Sequence, residues 1–404
     1  MIIALNIIIL IYLTFCAFTN PNRFVIVYIL FHTSFLGFIP NDIILFNIEL
    51  STFLSNIIAL TASIKYRKRI EDKTSRYIIY ILLLFFIYGI LKPIYDGNQN
   101  FMLSLIGSKA YTFYFFVIYM ITFKKSIIYN KIFNTVLFIG ISFSVLYIIN
   151  SIGIKLVPIA YIKEGTIQCH YDSFMPFALL YINSPISNIK KHKFIYTILL
   201  LLGTYLGGFF SLFATSILLL PLQHIIIKNW NNKSTIALLI FIGLIITSLS
   251  YTFLNKEINS SETFTFQKNA YESRWAVNEF RWELIDKKYE LGYGFIHNSS
   301  HFLSFYINED TPYMRTFTFI DSGYTDMMGK FGLIGTILFL LIPISIFIKG
   351  FNNKKNINCV LFILQLLAVN ATWSVFTYQM GIILLAIAYS FIFSNIKQLQ
   401  YENS

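Results

Sequence analysis

The sequence predicts an all-α fold: a polytopic transmembrane helical bundle of about thirteen spans, with one large extracytoplasmic loop containing short helices. Three observations predict it. The 404 residues are 56% hydrophobic and only 12% charged, too few charges to cover a water-facing shell, so most of the chain must have lipid as its solvent. Apolar runs long enough to cross roughly 30 Å of hydrocarbon recur along the whole length. Between these runs, Lys and Arg collect in every second loop. No hydrophilic stretch approaches the roughly 100 to 150 residues of a separate domain, so residues 1–404 are read as a single bundle and 255–331 as a loop within it.

In chain order the spans lie near residues 2–18, 24–39, 43–64, 77–92, 110–123, 132–150, 172–187, 194–208, 209–227, 235–254, 332–349, 358–373 and 376–395. The first lacks the basic n-region and small-residue cleavage site of a secretory signal and is read as a retained span. Between Phe194 and Ile227 one hydrophobic run is divided only by Gly203, Gly207 and Gly208. Orientation follows from the loop Lys65, Arg67, Lys68, Arg69, Lys73 and Arg76, which places the end of the third span in the cytoplasm. Counting onward, the basic loops at Lys124, Lys125 and Lys131, at Lys190, Lys191 and Lys193, at Lys228 and Lys233, and at Lys349, Lys354 and Lys355 all fall on that side. The loops 93–109, 151–171 and 255–331 then face out, and the C-terminal tail faces in.

The formal charge of +12 is accounted for by this bias, and no nucleic-acid partner is expected. Cys16, Cys169 and Cys359 are too few and too scattered for a disulfide framework or a metal site.

The segment 255–331 is several times longer than a connector and holds 11 of the 19 acidic residues with eight of the 31 basic ones. A solvated loop collects charge in any case, but this is where chemistry is expected. Tyr271 to Leu291 reads as an amphipathic helix with Ser273 as a cap and Gly292 as its stop. Arg274, Asn278 and Arg281 share one face, and Trp275, Glu279 and Trp282 a neighbouring stripe. Two guanidiniums beside two indoles suit a ligand with a diphosphate at one end and sugars at the other, since Arg pairs phosphate oxygens and Trp stacks on a pyranose. The same pattern fits an interfacial helix with Trp at headgroup depth and Arg snorkelling.

After the helix, Gly292-Tyr293-Gly294-Phe295-Ile296-His297-Asn298 is a turn whose glycines would let backbone come close to a ligand. His297 and His301 stand at i and i+4, but no third ligand has metal-site spacing, so neither a metal nor another cofactor is expected. Asp321 and Asp326 lie next to the Gly332-Leu333-Ile334-Gly335 element that opens the following span. Carboxylates so close to a membrane entry need a reason, either as a general base or as a partner for an Arg.

The order Ser273-Arg274, Trp282, Gly292-Tyr293-Gly294, a polar motif, and Gly332-Leu333-Ile334-Gly335 opening a span resembles the O-antigen polymerase and ligase superfamily of bacterial polysaccharide assembly, mainly over residues 270–345. The resemblance implies eleven to fourteen spans with a large periplasmic loop in the second half, in a bacterial cytoplasmic membrane with the site facing the exterior. The ligases place His-Asn where this chain has Asp321-Ser322, and Asp321 followed by Tyr324 is more similar to the polymerase branch. That branch implies transfer of a growing glycan from a polyprenyl diphosphate to a lipid-linked repeat unit, with a chain-length regulator as a protein partner. The chain departs from the pattern twice: a Ser-Arg pair of a middle span is replaced by Phe213-Ala214-Thr215, and the outer loop 161–172 offers Lys163 and His170 where the polymerases show Arg.

On this resemblance the leaving diphosphate is met first by Arg274 and second by Arg281, with Lys163 and His170 as other diphosphate ligands and Trp282, Tyr293 and Tyr324 lining the substrate. A fixed cation at the leaving group is worth on the order of 3 kcal/mol of barrier. The attacking hydroxyl is oriented or deprotonated by Asp321, with His297 and His301 as alternatives. Two other functions compete: the ligase, and a transporter or flippase of lipid-linked oligosaccharide, which would show internal repeats or broken helices at the midplane.

Overall fold

The protein is described by a computed structural model over residues 2–34, 44–45, 48–70, 72–154, 161–163, 166–168, 173–189, 191–207, 210–228, 230, 282, 284–297, 300, 323–371 and 374–402. Helices dominate. They are α1 (Ile2–Thr19), α2 (Pro21–His32), α3 (Leu50–Lys65), α4 (Lys73–Tyr95), α5 (Phe101–Gly107), α6 (Lys109–Thr112), α7 (Tyr114–Phe123), α8 (Tyr129–Ser151), α9 (Phe174–Ile182), α10 (Lys193–Leu206), α11 (Phe210–Lys228), α12 (Gly323–Gly350), α13 (Ile357–Val369) and α14 (Gln379–Glu402). Twelve of the thirteen predicted spans overlap helix over at least part of their length, and the other, 235–254, lies outside the described residues.

Two short antiparallel hairpins stand beside the helices, and the fold class is all-α as expected. Strands β1 (Ile44–Leu45) and β2 (Ile48–Glu49) pair Ile44 with Glu49 and Leu45 with Ile48. They take up the start of the predicted span 43–64, so α3 begins only at Leu50. Strands β3 (Tyr161–Lys163) and β4 (Thr166–Gln168) pair Lys163 with Thr166. The span predicted to end at 187 stops as a helix at Ile182, where Asn183, Ser184 and Pro185 favour a turn.

By length and composition, α4, α8, α11 and α12 are each able to cross a membrane, and the bent pair Phe101–Gly107 and Lys109–Phe123, at 62°, would make a fifth span. Their exposed faces show the solvent they are built for. Tyr77, Tyr80, Leu84, Ile87 and Leu91 are exposed along one stripe of α4, and Ile334, Ile337, Leu341, Ile344 and Ile348 along α12. Steps of three and four residues put each set on a single face, and such apolar stripes suit hydrocarbon rather than water. In contrast, every residue of α7 and α9 is buried, as expected for the centre of a bundle. Tyr28 stacks flat on Phe116 with centroids 4.1 Å apart, and Asn56 links α2 to α6 by accepting from Tyr28 and donating to Thr112.

The loops sort into two ends. At one end Lys124 pairs with Asp72, Lys349 Nζ donates to Thr74 at 2.6 Å, and the Asn22 amide donates to the Ser126 carbonyl at 3.0 Å. These contacts gather the loops predicted to face the cytoplasm. The Asp72 carboxyl there, although burial opposes it, is held below its ordinary pKa by hydrogen bonds from Lys124 and Ser75. At the other end Asn98 and Gln99 meet Phe295, His297 and Ser300.

Candidate functional site

The site is organised by a break in α12. Gly332 leaves helical geometry at φ 66° and ψ −173°, so the helix is two pieces, 323–331 and 333–350. A break inside an apolar bundle strands backbone donors and acceptors, which must find partners. The segment 289–294 supplies them in both directions. Tyr293 N–H donates to Gly329 O at 2.9 Å and Gly294 N–H to Lys330 O at 2.8 Å, while Leu333 and Ile334 donate to the carbonyls of Tyr289 and Glu290 at 2.8 and 3.3 Å. Gly292, at φ +67°, makes the turn between the two pairs. A Cβ on Gly292 would lie 2.6 Å from Gly332 N and from Lys330 C, so glycine is required at both faces of this contact.

Next along the chain, Gly294 packs on Pro93, and Phe295 N–H donates to Gly89 O at 2.7 Å. Gln99 closes the arrangement, donating to Phe295 O at 2.6 Å and accepting His297 N–H at 2.9 Å. The glycines of the Gly292-Tyr293-Gly294 turn, expected to let backbone come close to a ligand, here let it come close to the backbone of α4 and α12. An ion triad fastens the same segment from outside: Asp96 accepts from Lys92 at 2.8 Å and from Lys288 at 2.5 Å. Burial alone would raise the Asp96 pKa, but the hydrogen bonds from Lys288 and Lys92 outweigh it and hold the carboxyl below its ordinary value.

The predicted site residues divide accordingly. Trp282 is exposed and helical, residues 284–287 are helical and 288–291 form turns, so helix ends before Leu291, and 271–281, the first half of the helix expected over Tyr271 to Leu291, lies outside the described residues. Tyr293 is buried, its hydroxyl donating to Leu284 O at 2.9 Å, and Lys288 Nζ lies 5.6 Å from its ring centroid. Tyr324 donates to Leu367 O at 2.6 Å. Both tyrosine hydroxyls are thus committed to backbone carbonyls of different elements. His297 is partly buried, which lowers its pKa and favours the neutral ring. Lys163 is placed in β3 by its backbone. Arg274, Arg281, His301, Asp321 and His170 lie outside the described residues.

One group stands out that the sequence reading flagged without a partner. Asp326, 1% exposed, forms an ion pair with Lys330 on the next turn of α12 at 2.5 Å. Its cationic partner at this membrane entry is a lysine one turn away rather than an arginine. The i, i+4 spacing was visible in the sequence. Ser374, in the connection between α13 and α14, donates to Asp326 Oδ2 at 3.3 Å; nothing in the sequence singles it out. Gly323 opens the helix against Asn370, its N–H donating to Asn370 O at 2.8 Å. Among the described residues no three His, Cys, Asp or Glu side chains converge as a metal site. No protein-family model matches this chain, and no curated protein does either.

Proposed function

We propose that this protein is a bacterial polysaccharide polymerase of about thirteen spans. It transfers a growing glycan from polyprenyl diphosphate to a lipid-linked repeat unit at the outer face of the cytoplasmic membrane. The observation that carries the reading is the anchoring of residues 284–297 to the outer ends of α4 and α12. It ties the sequence that follows Arg274 and Arg281 to the rim of an apolar bundle, where an isoprenoid chain and a polar headgroup meet. Arg274 and Arg281 bind the leaving diphosphate, with Lys163 and His170 as further cations, and Trp282 offers an exposed indole to a sugar. The attacking hydroxyl is oriented by a group of the same excursion, Asp321, His297 or His301. A chain-length regulator is the expected protein partner.

Arg274→Ala in the native host is expected to abolish long surface polysaccharide while single-repeat lipid intermediates and protein level persist. Long chains at wild-type abundance would remove Arg274 from the mechanism.

The break in α12 and the buried Asp326–Lys330 pair also favour a second reading, since discontinuous helices and buried charges are features of transporters. Deleting the gene separates the two: loss of a polymerase leaves one repeat unit displayed at the surface, loss of a flippase leaves none. Display of one unit counts equally against the ligase, whose loss would also leave none.

A further inference from the structure

The Asp326–Lys330 pair is costly and holds nothing together. Both charges are withdrawn from solvent, at 1% and 9% side-chain exposure, yet they sit four residues apart on one helix and so make no tie between elements. Apolar residues would fill the same space at lower desolvation cost, and a buried ion pair in such a bundle marks function by default. Asp326 reaches outside its own helix through Ser374, whose hydroxyl is also 2.7 Å from Thr377 Oγ1. Thr377 shares its hydroxyl proton between Ser374 Oγ and the Ser374 carbonyl, 3.0 Å away, which leaves the Ser374 proton directed at the carboxylate. Ser374 and Thr377 are only half-buried, whereas Asp326 is enclosed. Around the same stretch of helix, the buried Tyr111 hydroxyl and Asn370 Oδ1 have no hydrogen-bond partner among the described residues. Lys330 Nζ lies 5.4 Å from the Tyr111 ring centroid, and the Asn370 side chain abuts Gly323. Unused polar atoms flanking a buried carboxylate suit a ligand rich in hydroxyls.

We propose that Asp326 is the proton acceptor for the attacking sugar hydroxyl, reached through Ser374, with Lys330 compensating the buried carboxylate. This rests on the polymerase reading and moves the proton-accepting role from Asp321 to Asp326. The sugar O–H bond breaks and its proton goes to Ser374 Oγ as the Ser374 proton passes to Asp326 Oδ2. The freed oxygen forms the glycosidic bond to the anomeric carbon of the donor. The bond from that carbon to phosphate oxygen breaks, and its electron pair leaves with the polyprenyl diphosphate. Ser374 touches the reacting hydroxyl; Asp326 acts through it and Lys330 positions Asp326.

The test uses the full chain in proteoliposomes, with undecaprenyl-diphosphate-linked repeat unit extracted from the source strain lacking this gene. Asp326→Asn and the double variant Asp326→Leu with Lys330→Met, which removes both charges without stranding either, are expected to lower kcat about 10²–10⁴-fold. KM for the lipid should stay close to wild type, and Asp326→Glu should recover part of the rate. Ser374→Ala, a small change at a half-buried site, should lower kcat in the same direction. A double variant or Ser374→Ala that extends chains at the wild-type rate overturns the assignment and leaves the polymerase reading standing. If the wild-type protein extends no chain on this lipid, the polymerase reading fails and the assignment falls with it.

Discussion

The carbonyl oxygen of Gly89 accepts the backbone N–H of Phe295 across 2.7 Å. It is free to do so because the residue four positions on in α4 is Pro93, which has no N–H to offer. A proline in the last turn of a span thereby opens a socket for a residue about two hundred positions later in the chain. The glycine serves the same contact, since a Cβ on Gly89 would collide with the Phe295 ring.

Pro93→Ala should weaken the attachment of the outer excursion. Alanine in a helix interior is favoured over proline by about 3 kcal/mol, but its N–H would compete with Phe295 for Gly89 O. Hydrogen exchange checks this. The Phe295 amide is expected to exchange roughly five-fold faster, equivalent to a net hydrogen bond of about 1 kcal/mol. Unchanged protection would mean that packing alone holds the segment.

Gly292→Ala should destabilise far more than Gly97→Ala. Both glycines have positive φ, at +67° and +70°, so both substitutions carry the left-handed penalty of about 1–2 kcal/mol. Only Gly292 also has backbone 2.6 Å from the added methyl, while Gly97 has nothing within 4 Å. Thermal unfolding in detergent should show the difference, with about 2 kcal/mol or more separating the variants. Equal midpoints would remove the tight contact with Gly332.

The Asp96 triad should make stability depend on acid. Its folded pKa is depressed, so its contribution is fully present above the unfolded carboxylate value of about 4 and is lost as pH falls through the folded value. Asp96→Asn should remove that component of the acid titration of the melting midpoint. At neutral pH it should cost about 1–2 kcal/mol, the modest figure reflecting the partial solvation of Lys288. A variant with the wild-type acid profile would show the triad to be incidental.

The two ends should label from opposite sides. Cys16 and Cys359 are buried, so in a Cys169→Ser background an impermeant thiol reagent reads only introduced cysteines. Asp286→Cys, exposed at the outer end, should react in intact cells, and Lys68→Cys, exposed at the other, only after permeabilisation. Labelling of both in intact cells would break the topology.

Much of the architecture was legible because apolar runs and basic loops are local signals. Lys65 to Arg76, Lys124 and Lys349 were assigned to one side by charge alone, and their contacts with Asp72, Thr74 and Ser126 gather at one end. Gly292 as a position where the chain turns was legible for the same reason, and its φ is positive. What could not be read was pairing at a distance. Gly292-Tyr293-Gly294 and Gly332-Leu333-Ile334-Gly335 each stood out, yet their bonds run through backbone atoms, which leave no side-chain signature of a partner. Gln99 and Ser374 were invisible because an isolated amide or hydroxyl carries no spacing pattern. Asp326 and Lys330 were the missed opportunity, since opposite charges at i and i+4 on a helical segment are a local signal.

The reciprocal pairing at Gly332 bears on how the molecule is made. Chains emerge from the ribosome N-terminus first, so Gly89 is made before residues 289–295, and those residues before α12. Until then the carbonyls of Tyr289 and Glu290 lack the N–H donors of Leu333 and Ile334, and α12 in turn arrives with its broken turn unsatisfied. The seating of α12, and of the helices that follow it, therefore waits on residues 289–294 being in place to meet its break.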